Sequence, residues 1–144
     1  MFMKKISYKI AAAVSAATLA IASVGSVVTN ASCTDRPWRV GTGDIADKDG
    51  DTSVYVNNVS NYYVHVSVYG RYSGDNYNYP VNSYKGKTIQ TTDVTIPGNS
   101  KREVHQFVKE IGYPLVYVYF SSYSGNGNGW WSADTCGSYP VANP

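Results

Sequence analysis

The stretch YYVHVSVYG, residues 62–70, constrains the fold more than any other part of the chain. Val64, Val66 and Val68 alternate with Tyr63, His65, Ser67 and Tyr69. A period of two puts the valines on one side of an extended strand and the polar and aromatic residues on the other. Such a strand needs a sheet with one dry face and one face that is wet or partly covered. TSVYVNN (52–58) repeats the pattern, with Val54 and Val56 inward. The DKDGD before it contains Asp-Gly, a strong turn signal, and reads as a hairpin turn with solvated acids.

The rest of the chain after residue 33 fits the same class. KTIQTTDVTIP (87–97) is a strand whose phase slips between Ile89 and the Val94/Ile96 pair, so a bulge or break is expected near Thr91–Thr92. PLVYVYFSSY (114–123) is apolar on both faces, as a central strand covered on both sides would be. GNGNG is a loop after it, and WWSADTC is expected to return as its partner strand. One segment breaks the pattern. In PGNSKREVHQFVKEIG (97–112), Val104, Phe107, Val108 and Ile111 fall at helical spacing. Ser100 and Glu103 have the spacing of a capping box, and Gly112 suits a helix C-terminus. The expectation is a mostly β fold, a small antiparallel β-sandwich with one short helix over 100–111; a strand is the alternative for that segment.

The chain start carries an address. MFMKKISYK is basic, residues 10–28 are uncharged and rich in alanine and valine, and small residues follow. This is the layout of a secretory signal peptide over 1–32, removed to leave one secreted β domain over 33–144. Without the leader, nine Lys and Arg face ten Asp and Glu, a net charge of 9 − 10 = −1 against +2 for the whole chain. A near-neutral domain without a basic cluster excludes nucleic acid as a partner class, because that binding draws on several phosphate-neutralising cations. After cleavage the protein is not an integral membrane protein. Cys33 and Cys136 stand at the two ends of the domain, and export makes a disulfide their expected state, closing a loop of 103 residues (136 − 33). A lipid-modified Cys33 is the rival reading, although Asn30 is polar where a lipoprotein signal wants an apolar residue.

No catalytic constellation emerges. His65 and His105 are the two histidines, no serine sits in a G-x-S-x-G elbow, and a disulfide would occupy both cysteines. A glycosidase-like pair of carboxylates among the ten acids is the remaining enzymatic reading. Asp44, Asp47, Asp49 and Asp51 superficially resemble a calcium loop, but Gly50 precedes the last acid instead of following the third. A weak calcium site on Asp47, Asp49 and Asp51 is therefore the minor reading beside a solvated turn, and no other cofactor is expected. Aromatic residues are the better lead. Only Tyr8 of the 14 tyrosines precedes residue 33, and the loop RYSGDNYNYPVNSY (71–84) mixes tyrosine with Asn, Ser and Gly, as adaptable binding surfaces do. Tyr77, Tyr79, Tyr84 and Trp130 are the candidate binding residues, because tyrosine and tryptophan rings stack on sugars. In GWWSADTC a strand would send Trp130 and Trp131 to opposite faces, with Asp134 on Trp130's side.

DRPWRVGTGDIADKDGDTSVYV (35–56), VHQFVKEIGYPLVYV (104–118) and GWWSADTCGSY (129–139) resemble a family of small secreted Gram-positive bacterial proteins classed as a domain of unknown function. That family carries a Trp before an acidic D-K-D stretch, a V-x-E-x-G-Y-like segment and a terminal G-x-W-S-x-D-S-x-G-x-Y motif. Trp38, Asp47–Asp49, Gly112–Tyr113, Trp131, Ser132 and Asp134 match it; Ala133 and Thr135 stand where the pattern has Pro and Ser, and the cysteine pair is not part of it. The resemblance implies export and a place beside transporter or bacteriocin-like loci, and transfers no functional residues. The expected function is a secreted, non-catalytic binding or effector protein acting at a bacterial cell envelope, with envelope polysaccharide or another cell surface as partner. A bacteriocin-like antimicrobial effector and a glycan-binding module are the two forms this could take, and a glycosidase-like enzyme is the alternative of a different class.

Overall fold

A computed structural model describes residues 33–50 and 53–144; the leader expected at 1–32, and Asp51 of the acidic candidates, lie outside the described residues. Ten strands form two four-stranded antiparallel sheets packed face to face and a small two-stranded ribbon. In chain order the strands are β1 (Arg36–Arg39), β2 (Thr42–Asp47), β3 (Val54–Asn58), β4 (Val64–Arg71), β5 (Ser83–Tyr84), β6 (Lys87–Thr88), β7 (Asp93–Ile96), β8 (Ser100–Val104), β9 (Leu115–Ser121) and β10 (Asn128–Ser132). The first sheet has the order β1-β10-β3-β8 and the second β2-β9-β4-β7.

The alternation read from the sequence is the alternation of burial. Val64, Val66 and Val68 are fully buried, His65, Ser67 and Tyr69 are not, and β9 turns Val116, Val118 and Phe120 inward. Between the sheets, the Trp38 and Phe120 rings stack at 4.4 Å and 4°, a pair worth about 0.5–1.5 kcal/mol beyond its buried area. Trp131 lies fully inside, and its indole N–H donates to Asp44 of the opposite sheet at 3.0 Å. Arg36 closes the same edge with two bonds to the Asp44 carboxylate, at 2.7 and 3.0 Å. Burial pushes the Asp44 carboxyl upward, but the bonds from Arg36 and Trp131 outweigh it and hold the group below its ordinary range.

Several expectations are corrected. The helix over 100–111 does not form: Ser100–Val104 is the edge strand β8, paired with β3 from Asn58↔Ser100 to Val54↔Val104, and only α1 (Val108–Ile111) is helical. The Ser100 hydroxyl donates to the Pro97 carbonyl instead of capping, and Glu103 accepts the Tyr139 N–H. Pairing with a buried neighbour strand overrode a local helical stripe; Gly112 still ends α1 with φ at 105°. β2 and β3 do not form a hairpin around DKDGD. They lie in different sheets, so the chain arches between the layers there. β10 is not the partner of β9 but inserts between β1 and β3 of the other sheet. The break near Thr91–Thr92 is present, dividing β6 from β7.

Candidate functional site

The two outer faces are built differently. On the first sheet, the chain after β10 runs beside the edge strand β8 and lays one ring on the outer face. Tyr139 covers Tyr55 at 4.7 Å between rings, Val141 makes a parallel bridge to Glu103, and Asn143 bonds His105 and Thr91. Burial and the neighbouring Tyr139 raise the Tyr55 phenol above its ordinary value. The tail starts from the Cys33–Cys136 disulfide, whose Cα atoms are 5.8 Å apart. The disulfide expected from export is therefore present in the fold. Trp130 sits on this sheet's outward side, 44 % exposed, between Pro37 and Asn57 in register. The opposite orientation of Trp130 and Trp131 holds. Asp134 does not follow Trp130 outward: β10 ends at Ser132, and beyond it Asp134 is fully buried.

The second sheet's outer face is open. β9 is central, as the sequence implies, but it is not covered on both sides: Leu115 and Tyr117 are half-buried and Tyr119 is exposed. Tyr117 stands in register with Tyr69 and Ile45, and the Arg71 guanidinium lies 4.1 Å from its ring centre. A Cβ on Gly43 would collide with the Tyr117 phenol, so this ring lies down across β2 only because position 43 is glycine. Tyr119 is flanked in register by Gly43, over which the Tyr117 ring lies, and by Ser67. Next to it a cleft of about 460 Å³ is lined by His65, Ser67, Asp93, Ser121, Ser122 and Tyr123. Tyr123 is almost wholly exposed and stands edge-on to His65 at 5.1 Å, while the Thr95 hydroxyl bonds His65 Nδ1 at 3.1 Å. Past Tyr123 a second cleft of about 340 Å³ continues between Tyr62, Tyr63 and Ser124.

The candidates from the sequence fall in three places. Tyr77 and Tyr79 belong to a cluster with Tyr72 and Tyr113, with ring centres 4.7–5.6 Å apart. Tyr79 bridges to Gly70 beside β4, and Tyr113 fills the space a Cβ on Gly70 would need. The Tyr79 hydroxyl donates to Asp75 at 2.8 Å, which raises the Tyr79 phenol; Asp75 is lowered, first by the Tyr77 N–H and then by Tyr79. Only Tyr77 of the two is broadly exposed. Tyr84 lies apart on the β5–β6 ribbon, against Phe107 at 6.3 Å and with the Lys85 ammonium 5.2 Å from its ring centre. Trp130 is on the other sheet. Among the acids, Asp47 and Asp49 are exposed, and no group of three or more potential metal ligands converges among the described residues. The sequence reading did not select Tyr119 or Tyr123. Their signal was the odd-numbered set 115–121, readable as an outward face once only one side of β9 is assigned to the core.

Cleft walls of hydroxyl, carboxylate and imidazole beside an exposed phenol ring can bind a ligand rich in hydroxyl groups: the polar groups bond its edges and the ring stacks on its C–H face. Among the described residues no helix is long and apolar enough to cross a membrane. Comparison with protein-family models, curated proteins and solved structures finds no match for this chain.

Proposed function

We propose that the protein is a secreted, non-catalytic binding protein that holds a saccharide chain of a bacterial cell envelope along the open face of the second sheet. The observation that supports this reading is the polar cleft between His65, Ser67, Asp93 and Ser121 with the exposed Tyr123 ring in its wall, and the exposed Tyr119 in register with Ser67. β4 spans eight residues, about 26 Å at the usual strand rise, room for several linked sugars. The near-neutral charge after residue 32 suits a neutral chain held by stacking and hydrogen bonds more than a polyanion held by cations.

The test is co-sedimentation with insoluble peptidoglycan and titration with soluble envelope polysaccharides. Tyr119→Ala and Tyr123→Ala are expected to weaken binding about tenfold each, the loss of roughly 1.4 kcal/mol of stacking. Trp130→Ala, on the other face, is expected to leave it unchanged. Absence of binding to every polymer, or equal loss in all three variants, overturns the reading.

A further inference from the structure

The polar cleft leaves one buried assembly unused. Lys48 follows β2 and Asp134 follows β10, so the two side chains meet between the sheets. Both are wholly out of solvent, with Nζ 2.5 Å from Oδ1. Lys48 also donates to the Ala133 carbonyl at 2.6 Å. The main-chain N–H groups of Asp49 and Gly50 point at the Asp134 carboxyl oxygens from 3.3 Å. The segment carrying α1 packs against the same lysine: the Lys48 N–H donates to the Pro114 carbonyl at 3.0 Å, and Lys109 reaches the Lys48 carbonyl at 3.5 Å. On that segment Glu110 keeps its Oε2 buried with no hydrogen-bond partner among the described residues. The stretches 47–49 and 131–134 thus bring an amine and a carboxyl together in the interior, and the segment that carries Glu110 packs against the main chain of the first.

We propose that Lys48 and Asp134 are joined by an intramolecular amide, formed by the folded chain itself. Burial disfavours separated charge, and passing one proton from ammonium to carboxylate leaves the neutral amine and acid from which an amide is made. The Nζ lone pair attacks Cγ of Asp134, and the N–H groups of Asp49 and Gly50 stabilise the charge that develops on the carboxyl oxygen. The C–N bond forms, the C–OH bond breaks, and the hydroxyl leaves as water with a proton taken from the nitrogen. Glu110 is assigned the carriage of that proton. No oxidant, metal or activated donor enters the balance, and holding the two groups in place supplies the effective concentration that free amines and acids lack. The result would tie the second strand to the last one through their side chains. This inference does not rest on the saccharide reading.

Peptide mapping of the exported protein, reduced and alkylated, tests it. Trypsin should fail after Lys48 and yield residues 40–71 linked to 110–144 at 18 Da below their summed mass. Recovery of 40–48 and 110–144 as separate peptides of full mass from the folded wild-type protein overturns the proposal and leaves an ion pair. Asp134→Ala should release both peptides, although the wild-type map decides the matter even if that variant does not fold. Glu110→Gln is expected to fold and to show the link at less than a tenth of its wild-type yield; a fully linked Glu110→Gln protein overturns the role given to Glu110.

Discussion

The first sheet takes its own C-terminal tail along the edge strand β8 and one tail ring, Tyr139, over Tyr55, with Trp130 still exposed on that face; the outer face of the second sheet meets no described tail residue and carries Tyr119. Both sheets are four-stranded and antiparallel and share one core, so the core does not distinguish them. The difference lies in what the chain does after the last strand. Residues 139–143 bond Glu103 of β8 and, through Asn143, His105 and Thr91, and their one phenol lies on Tyr55, and none of the described contacts brings the tail to Tyr119 or Tyr123. A chain that adds its tail to one sheet and leaves Tyr119 exposed on the other separates the side that the tail holds from the side proposed to bind. Substitutions should respect that separation.

Asp134→Ala should act most severely, in the interior that both sheets share. It strands a buried lysine, and removing one partner of a buried pair costs about 3–5 kcal/mol; a urea midpoint near wild type would show that the pair is incidental. Ending the chain at Ser138 removes six hydrogen bonds made by Tyr139–Asn143. At the low end of the ~0.5–1.5 kcal/mol net value per bond, about 3 kcal/mol should be lost, with faster hydrogen exchange along β8 and little change along β9. On the open side, Tyr119→Ala should shift stability by no more than about 0.5 kcal/mol while saccharide affinity falls; a large stability loss would mean that the ring serves the fold. The mildest probe addresses the seam between sheets. Asp44 is held below its ordinary value, so its contribution is complete above about pH 4 and is lost as pH falls through the lowered value. Asp44→Asn should therefore be less stable than wild type near neutrality, with the gap narrowing in acid. A gap that stays constant down to pH 2 would remove Asp44 from the seam.

Much of the sandwich was legible because burial in a two-layer sheet fold writes itself as a period of two, and residues 54–56, 64–68 and 116–120 carry that period plainly. Residues 100–111 misled because Val104, Phe107, Val108 and Ile111 satisfy a helical stripe as well as a strand followed by one turn, and the choice was made by pairing with β3, 40-odd residues away in sequence. DKDGD looked like a hairpin because turn chemistry reports a reversal without reporting which sheet the chain enters next. The site was less legible for the same reason: whether Tyr117 and Tyr119 face a covering layer or water depends on what lies above β9, and nothing local to 114–123 says so. Lys48 was hidden by its type, since a lysine between two aspartates reads as surface until a partner 86 residues away takes it inside.

The disulfide has a mechanical consequence. Cys33 opens the described chain and Cys136 lies eight residues from its end, with their Cα atoms 5.8 Å apart. Tension applied across Cys33 and Cys136 would run through the sulfur bridge and bypass the span it encloses, a sequence separation of 103. The sheets would then bear no load. Pulled in that way, the domain would act as a fixed link of constant length until the bridge is reduced, when force would pass through residues 33–48 and 134–136 to the proposed Lys48–Asp134 amide.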